Sequence, residues 1–184
     1  MKTTGREEFF IAVVFDRLAG MNSIIDGIQY LTRFLGKTIS WSSLILTFII
    51  VTDVFFRYVF SITSAATFEI EWHLFGLMFL LGAAWTLDQD KHVRVDFFYQ
   101  RFGPKTRALI NFIGTLIFLI PFCWVTLITS IDFVQSSFLL NEISPDPGGL
   151  PARYLIKSAI PVGFGLLMLQ GVVLMLNSIK TLLK

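Results

Sequence analysis

Apolar and polar positions along this chain fall into long blocks. Residues 17–37 repeat with a helical period. Leu18, Met21, Ile24, Ile25, Ile28, Leu31 and Leu35 share one face, and Asn22, Asp26, Gln29, Arg33 and Lys37 recur on the other. Such a helix can lie flat in the headgroup region or pack as a surface helix on the protein itself; the apolar character of the chain favours the first. Four apolar blocks follow, at about residues 38–60, 65–87, 108–131 and 158–179. Twenty-three residues at about 1.5 Å each reach about 34 Å, enough for a hydrocarbon core of about 30 Å. The pattern predicts an all-α integral membrane protein of one domain: four transmembrane helices preceded by an N-terminal amphipathic interfacial helix.

The blocks are not uniform. Asp53 and Arg57 sit one turn apart in the first and can pair across i, i+4. Glu69, Glu71 and His73 cluster in the first half of the second. The third carries no charge, and Pro121 should kink it. Gly163, Gly165 and Gly171 on the fourth would permit close helix contact. The connection after the third block, SSFLLNEISPDPGGLPAR, holds three prolines and two adjacent glycines, so it should be a partly rigid loop. Phe138, Leu139 and Leu140 can continue the third helix into it. Phe9–Phe15 is apolar for too few residues to span, and Glu7 and Glu8 spoil a signal-peptide reading; an uncleaved segment touching the membrane is expected. No internal repeat relates the two halves.

Composition agrees. The 184 residues are 54% hydrophobic and 15% charged, against about 25% charged in an ordinary soluble domain. Twelve Lys and Arg residues precede the first block, separate the second from the third, or follow the fourth; only Arg57, Arg153 and Lys157 fall on the other side. The positive-inside rule then puts both termini and the 88–107 loop in the cytoplasm. Trp41, Trp72 and Trp85 lie near block ends, as interfacial anchors do.

Candidate chemistry is sparse. A net charge of +2 without a basic cluster gives nucleic acid no purchase. The single cysteine, Cys123, lies in an apolar run, so no internal disulfide forms and no metal-ligand spacing exists. The two histidines cannot meet, His73 lying near the outer end of the second block and His92 in the inner loop, which argues against a bis-histidine haem or metal site. No nucleophile elbow or phosphate loop is present. No enzyme activity, cofactor or metal is expected. Asp53, Glu69 and Glu71 lie toward the outer ends of their helices; they read as salt-bridge partners, or as parts of an interface or substrate vestibule.

From Glu69 the sequence reads E-I-E-W-H-L-F-G-L-M-F-L-L-G-A-A-W-T-L-D-Q-D-K-H-V-R-V-D. A glutamate, a Leu-Gly-Ala-Ala ending and a His-x-x-Val-Asp about ten residues later resemble the small membrane subunit of tripartite ATP-independent periplasmic (TRAP) transporters. Leu150–Gln170, L-P-A-R-Y-L-I-K-S-A-I-P-V-G-F-G-L-L-M-L-Q, resembles that family's outer-loop-to-fourth-helix segment. The resemblance covers about residues 38–180. The family's recurrent positions fall on Glu69, Gly82, Ala83, His92, Val95, Asp96, Pro145, Pro151, Pro161 and Gly163; Lys91 stands where a small residue is common.

The resemblance implies a scaffold in the bacterial inner membrane, beside a large membrane subunit that takes up an organic acid, such as sialic acid or a C4-dicarboxylate, driven by an ion gradient. A periplasmic substrate-binding protein delivers the substrate, and sodium is expected in the large subunit. Asp53, Arg57, Glu69, Glu71, Gly82, His92, Arg94 and Asp96 become subunit-interface or structural candidates, with a solvated loop as the other reading of His92 and Asp96. Glu142, Pro145, Pro147, Pro151 and Arg153 become candidates for receiving the periplasmic partner. Membrane lipid is a further expected partner at the basic loop. A stand-alone four-helix exporter and an accessory subunit of another membrane complex are the other classes the sequence leaves open.

Overall fold

A computed structural model describes residues 5–89, 99 and 101–183. Helix α1 is Gly5–Ser40, α2 Ser42–Phe60, α3 Ala65–Asp88, α4 Pro104–Gly114, α5 Ile120–Leu139 and α6 Tyr154–Leu182. Among the described residues four helical stretches are long and apolar enough to cross a membrane: Asn22–Phe60, Ala65–Asp88, Pro104–Leu139 and Tyr154–Leu182.

The structure puts the break between the N-terminal helix and the next one at Trp41, whereas the sequence pattern places it between 37 and 38. Helix α1 begins at Gly5 and leads almost directly into α2, with Trp41 alone between them. Trp41 keeps helical angles, and the Leu44 and Ile45 amides both donate to its carbonyl. The hydroxyls of Thr38, Ser40 and Ser43 donate to carbonyls three or four residues back, so the join leaves those groups satisfied. The faces of α1 also differ from the expected pair. Ile25, Thr32 and Gly36 are buried against the bundle. Ile24 and Leu31, from the expected apolar face, join Phe34 in a second and exposed stripe.

The third span runs further than 108–131 at both ends, and Phe138 and Leu139 do continue it. Between α4 and α5 the helix widens into a π turn, Thr115–Leu119, where the Ile120 amide reaches back to the Thr115 carbonyl. Pro121 explains this. It offers no N–H, and its ring would strike the carbonyl four residues earlier; a widened turn just before it relieves the clash.

Helix α6 is the centre of the bundle. It packs on α5, α3, α4 and α1, and buries Ala159, Gly163, Leu166, Leu167, Gln170, Gly171, Val173 and Ser178. Ala84 and Leu87 of α3 and Cys123 of α5 meet Leu166 and Leu167 in the core. In lipid no water drives helices together, so close backbone approach has to supply the contact. At Gly163 an added Cβ would lie 2.9 Å from the Leu80 carbonyl oxygen, and at Gly171 it would lie 3.0 Å from Leu119. Gly165 and Gly82 do not share this role: the nearest atom to a Cβ at Gly165 is 3.9 Å away, and Gly82 faces open space. Helix α2 is peripheral. It packs on α3 and the end of α1 and buries no residue.

Candidate functional site

Buried carboxylates stand toward the two ends of helix α3. At the end bearing residues 61–64 and 140–153, the loop end, Glu69 stands about one turn into α3 and is only 2% exposed. Its Oε1 accepts the Ser144 hydroxyl and its Oε2 accepts the Leu150 amide at 2.6 Å. Arg153 Nη2 is 3.8 Å from Oε1, and its guanidinium sits 5.8 Å from the Trp72 ring centre. A carboxylate taken out of water needs such donors, and here the loop supplies them.

The loop is built to reach it. Ser144 donates its amide to Leu150, Gly149 to Asp146, and Arg153 to Glu142. Asn141 and Ala152 take positive φ at the two ends of the loop, and Gly148 takes φ +79 in its turn. Gly149 passes so close that a Cβ would strike the Ser144 side chain and lie 3.0 Å from Glu69 Oε2. Glu142 pairs with Lys157 of α6, whose ammonium also lies 3.9 Å from the Phe133 ring centre. The Lys157 hydrogen bond holds the Glu142 carboxyl below the usual carboxylate range. Glu142 and Arg153, candidates for an external partner, are therefore engaged within the chain. Pro145, Pro147 and Pro151 are exposed on the loop surface.

At the opposite end a second carboxylate does similar work. The Asp88 side chain is fully buried, and Arg33 of α1 grips it with Nε at 2.7 Å and Nη2 at 3.3 Å. Gln170 of α6 donates to the same carboxylate at 3.2 Å. Three helices are thus tied through one residue. Lys180 and Asn22 join α6 to α1 further along. Trp85 packs its ring against Gly36 where α1 crosses α3, leaving no room for a Cβ there.

Asp53 and Arg57 of α2 are bonded to each other. Glu71 of α3 has a buried Oε1 without a hydrogen-bond partner among the described residues. The His73 ring contacts the Glu69 carbonyl on its own helix. His92, Arg94 and Asp96 lie outside the described residues.

Sequence reasoning did not single out Asp88, Gln170 or Ser144. Asp88 sits in a polar D-Q-D-K run that reads as a helix exit. Its one sequence signal is Gln170, an amide inside an otherwise apolar span. The described residues hold no group of three or more His, Cys, Asp or Glu able to bind a metal. These carboxylates act by tying helices and a loop together.

The family model described as tripartite ATP-independent periplasmic transporters, DctQ component, matches residues 46–181. No curated protein matches the chain.

Proposed function

The chain belongs to the DctQ family of tripartite ATP-independent periplasmic transporters, and from that premise we propose how it serves them. It is the small membrane subunit of such a transporter, a multi-pass component that works with a large membrane subunit and a periplasmic binding protein. Our reading is that it is the fixed scaffold against which the large subunit moves. The carrying observation is that buried carboxylates tie both ends of α3: Glu69 to the loop, Asp88 to α1 and α6. A helix secured at both ends, with Gly163 pressed on Leu80 between them, resists shear when a neighbour slides past.

The remaining parts follow the same reading. The loop end faces the periplasm, supported by the twelve-to-three Lys and Arg asymmetry, and both termini face the cytoplasm of a bacterial inner membrane. The proline-bearing loop receives the binding protein. The exposed Ile24, Leu31 and Phe34 stripe of α1 suits a helix touching headgroups. The substrate is an organic acid such as sialic acid or a C4-dicarboxylate, and sodium binds in the large subunit.

The test has two parts. Mild-detergent extraction of the tagged chain from native membranes should bring the large subunit with it in fixed ratio; recovery of the chain alone overturns the reading. In the reconstituted transporter, spin labels at the exposed Phe79 of α3 and Leu169 of α6 should keep one separation in inward- and outward-trapped states. A separation that changes with the trapped state overturns the rigid-scaffold reading.

A further inference from the structure

Helix α2 is the odd member of the bundle. It contributes a span but no buried residue, and Phe48, Val51, Phe55, Tyr58 and Val59 are all more than half exposed. Between α2 and α3, toward the loop end, lies a groove of about 400 Å³ whose lining includes Phe48, Thr52, Asp53, Phe56, Thr67 and Ile70.

The charges around that groove do not balance. Asp53 and Arg57 are bonded, with side chains 10% and 48% exposed. Glu71 follows Thr67 by one helical turn, so it shares the face of α3 that lines the groove. Its Oε1 is buried without a partner among the described residues. Arg57 lies within electrostatic reach of both, so among the described residues two carboxylates share one guanidinium. Asp53 is seven residues short of the end of α2, and Glu71 six residues past the start of α3. At about 1.5 Å per residue both lie about 10 Å inside their helix ends. Charge at that depth is costly unless something pairs with it.

We propose that this groove is the docking seam for a membrane-spanning helix of the large transporter subunit, entered by a lysine or arginine side chain that pairs with Asp53 and Glu71. The proposal rests on the scaffold reading above and locates its contact. The shape suits that occupant. Phe48, Phe56 and Ile70 form an apolar wall for the methylene stem, and Asp53, bonded to Arg57, lies in the lining where a charged head can join the pair. The Thr52 and Thr67 hydroxyls give a partner helix polar contacts at close range. The bare flank of α2 supplies the rest of the contact area, which the bundle itself leaves uncovered.

The test is photo-crosslinking in membranes holding the whole transporter. The photoreactive residue p-benzoyl-phenylalanine is placed at Phe48, 73% exposed on the groove, and separately at Phe118, 72% exposed at the π turn. Phe48 should capture the large subunit and Phe118 should capture it far less. The double substitution Asp53→Asn and Glu71→Gln should lower the Phe48 adduct roughly tenfold or more, as loss of a desolvated charge pair does. Thermal unfolding of the isolated chain in detergent should stay within a few degrees of wild type, which separates lost docking from lost folding. If Phe48 captures only lipid while the large subunit still co-purifies, the seam is overturned and the scaffold reading stands. If the double variant leaves the Phe48 adduct unchanged, the charge pairing is overturned. If the large subunit does not co-purify with the wild-type chain, the scaffold reading and the seam both fall.

Discussion

Leu150 donates its backbone amide to Glu69 Oε2 at 2.6 Å across 81 positions of sequence. The bond joins a carboxylate inside a helix to the far side of a loop, and Ser144, on the near side, donates to the other oxygen. The loop therefore closes on the bundle at two points.

Replacing Glu69 should open that loop without dissolving the bundle, because the apolar core lies elsewhere, around Ala84, Cys123 and Leu166. Glu69→Ala leaves the Leu150 amide and the Arg153 guanidinium without their carboxylate. We expect cleavage within 143–150 by an added protease to run roughly tenfold faster, the size of effect that follows from unpairing a buried donor. Helical content by circular dichroism should hold. Equal cleavage rates in the two proteins would mean the loop's own turns suffice.

The glycines of α6 make a matched pair. Gly163→Ala puts a methyl 2.9 Å from the Leu80 carbonyl, so α3 and α6 must separate. The cost should be about 1–3 kcal/mol, as overpacking usually is. Gly165→Ala meets only Leu127, at 3.9 Å, and should change stability by less than about 0.5 kcal/mol. Thermal or denaturant unfolding in one detergent ranks them; equal changes would mean that the close approach at Gly163 carries no cost of its own, since the backbone-entropy effect of Gly→Ala favours the folded helix at both positions.

The existence of the four spans was legible because the bilayer imposes length and apolarity on each one separately. Ala65–Asp88 matches its expected limits to one residue. The π turn was half legible: Pro121 announces a disturbance, but whether a helix kinks or widens depends on what packs beside it, here Gly171. Glu69 stood out as a charge in a span, yet Ser144 and Leu150 could not be assigned to it, since loop closure over that distance leaves no periodic trace. Asp88 was missed for the opposite reason. At a helix end an acid needs no explanation, and only the arrival of Arg33 and Gln170 from two other helices makes it structural. The continuity of α1 into α2 was hidden by the Thr-Ile-Ser-Trp-Ser-Ser stretch, which reads as a boundary until its hydroxyls are seen bonding to the helix itself.

Glu142 gives the loop a dependence on pH. Lys157 holds its carboxyl below the ordinary value, about 4.3 for glutamate. A depressed folded value means the stabilisation is fully present above the ordinary value and fades as pH falls through the folded one. A nitroxide at the exposed Pro147 should be immobile at neutral pH and loosen only below the carboxylate range. Lys157→Gln removes this contribution, so the variant should be the more mobile at neutral pH, and the gap between the two should close on acidification. A gap independent of pH would show that Lys157 acts through packing on Phe133 alone.

The Arg33–Asp88 pair should be asymmetric under mutation. Asp88 is fully buried and Arg33 is half exposed, so the two cannot lose each other at equal cost. Among the described residues, Arg33→Met leaves the buried carboxylate with the Gln170 and Gln89 amides alone. Asp88→Asn keeps the shape and one acceptor for Gln170, and frees Arg33 to turn toward water or headgroups. Arg33→Met should therefore destabilise more than Asp88→Asn. Adding Asp88→Asn to Arg33→Met should recover part of the loss, with a coupling of about 1 kcal/mol or more in the double-mutant cycle. Unfolding in detergent measures all four proteins. Additive losses would mean that α1 is held by Trp85 against Gly36 and not by the ion pair. The recovery, if found, would identify Asp88 as a charge tolerated for the three helices it joins, the property a scaffold needs where its partner pulls on it.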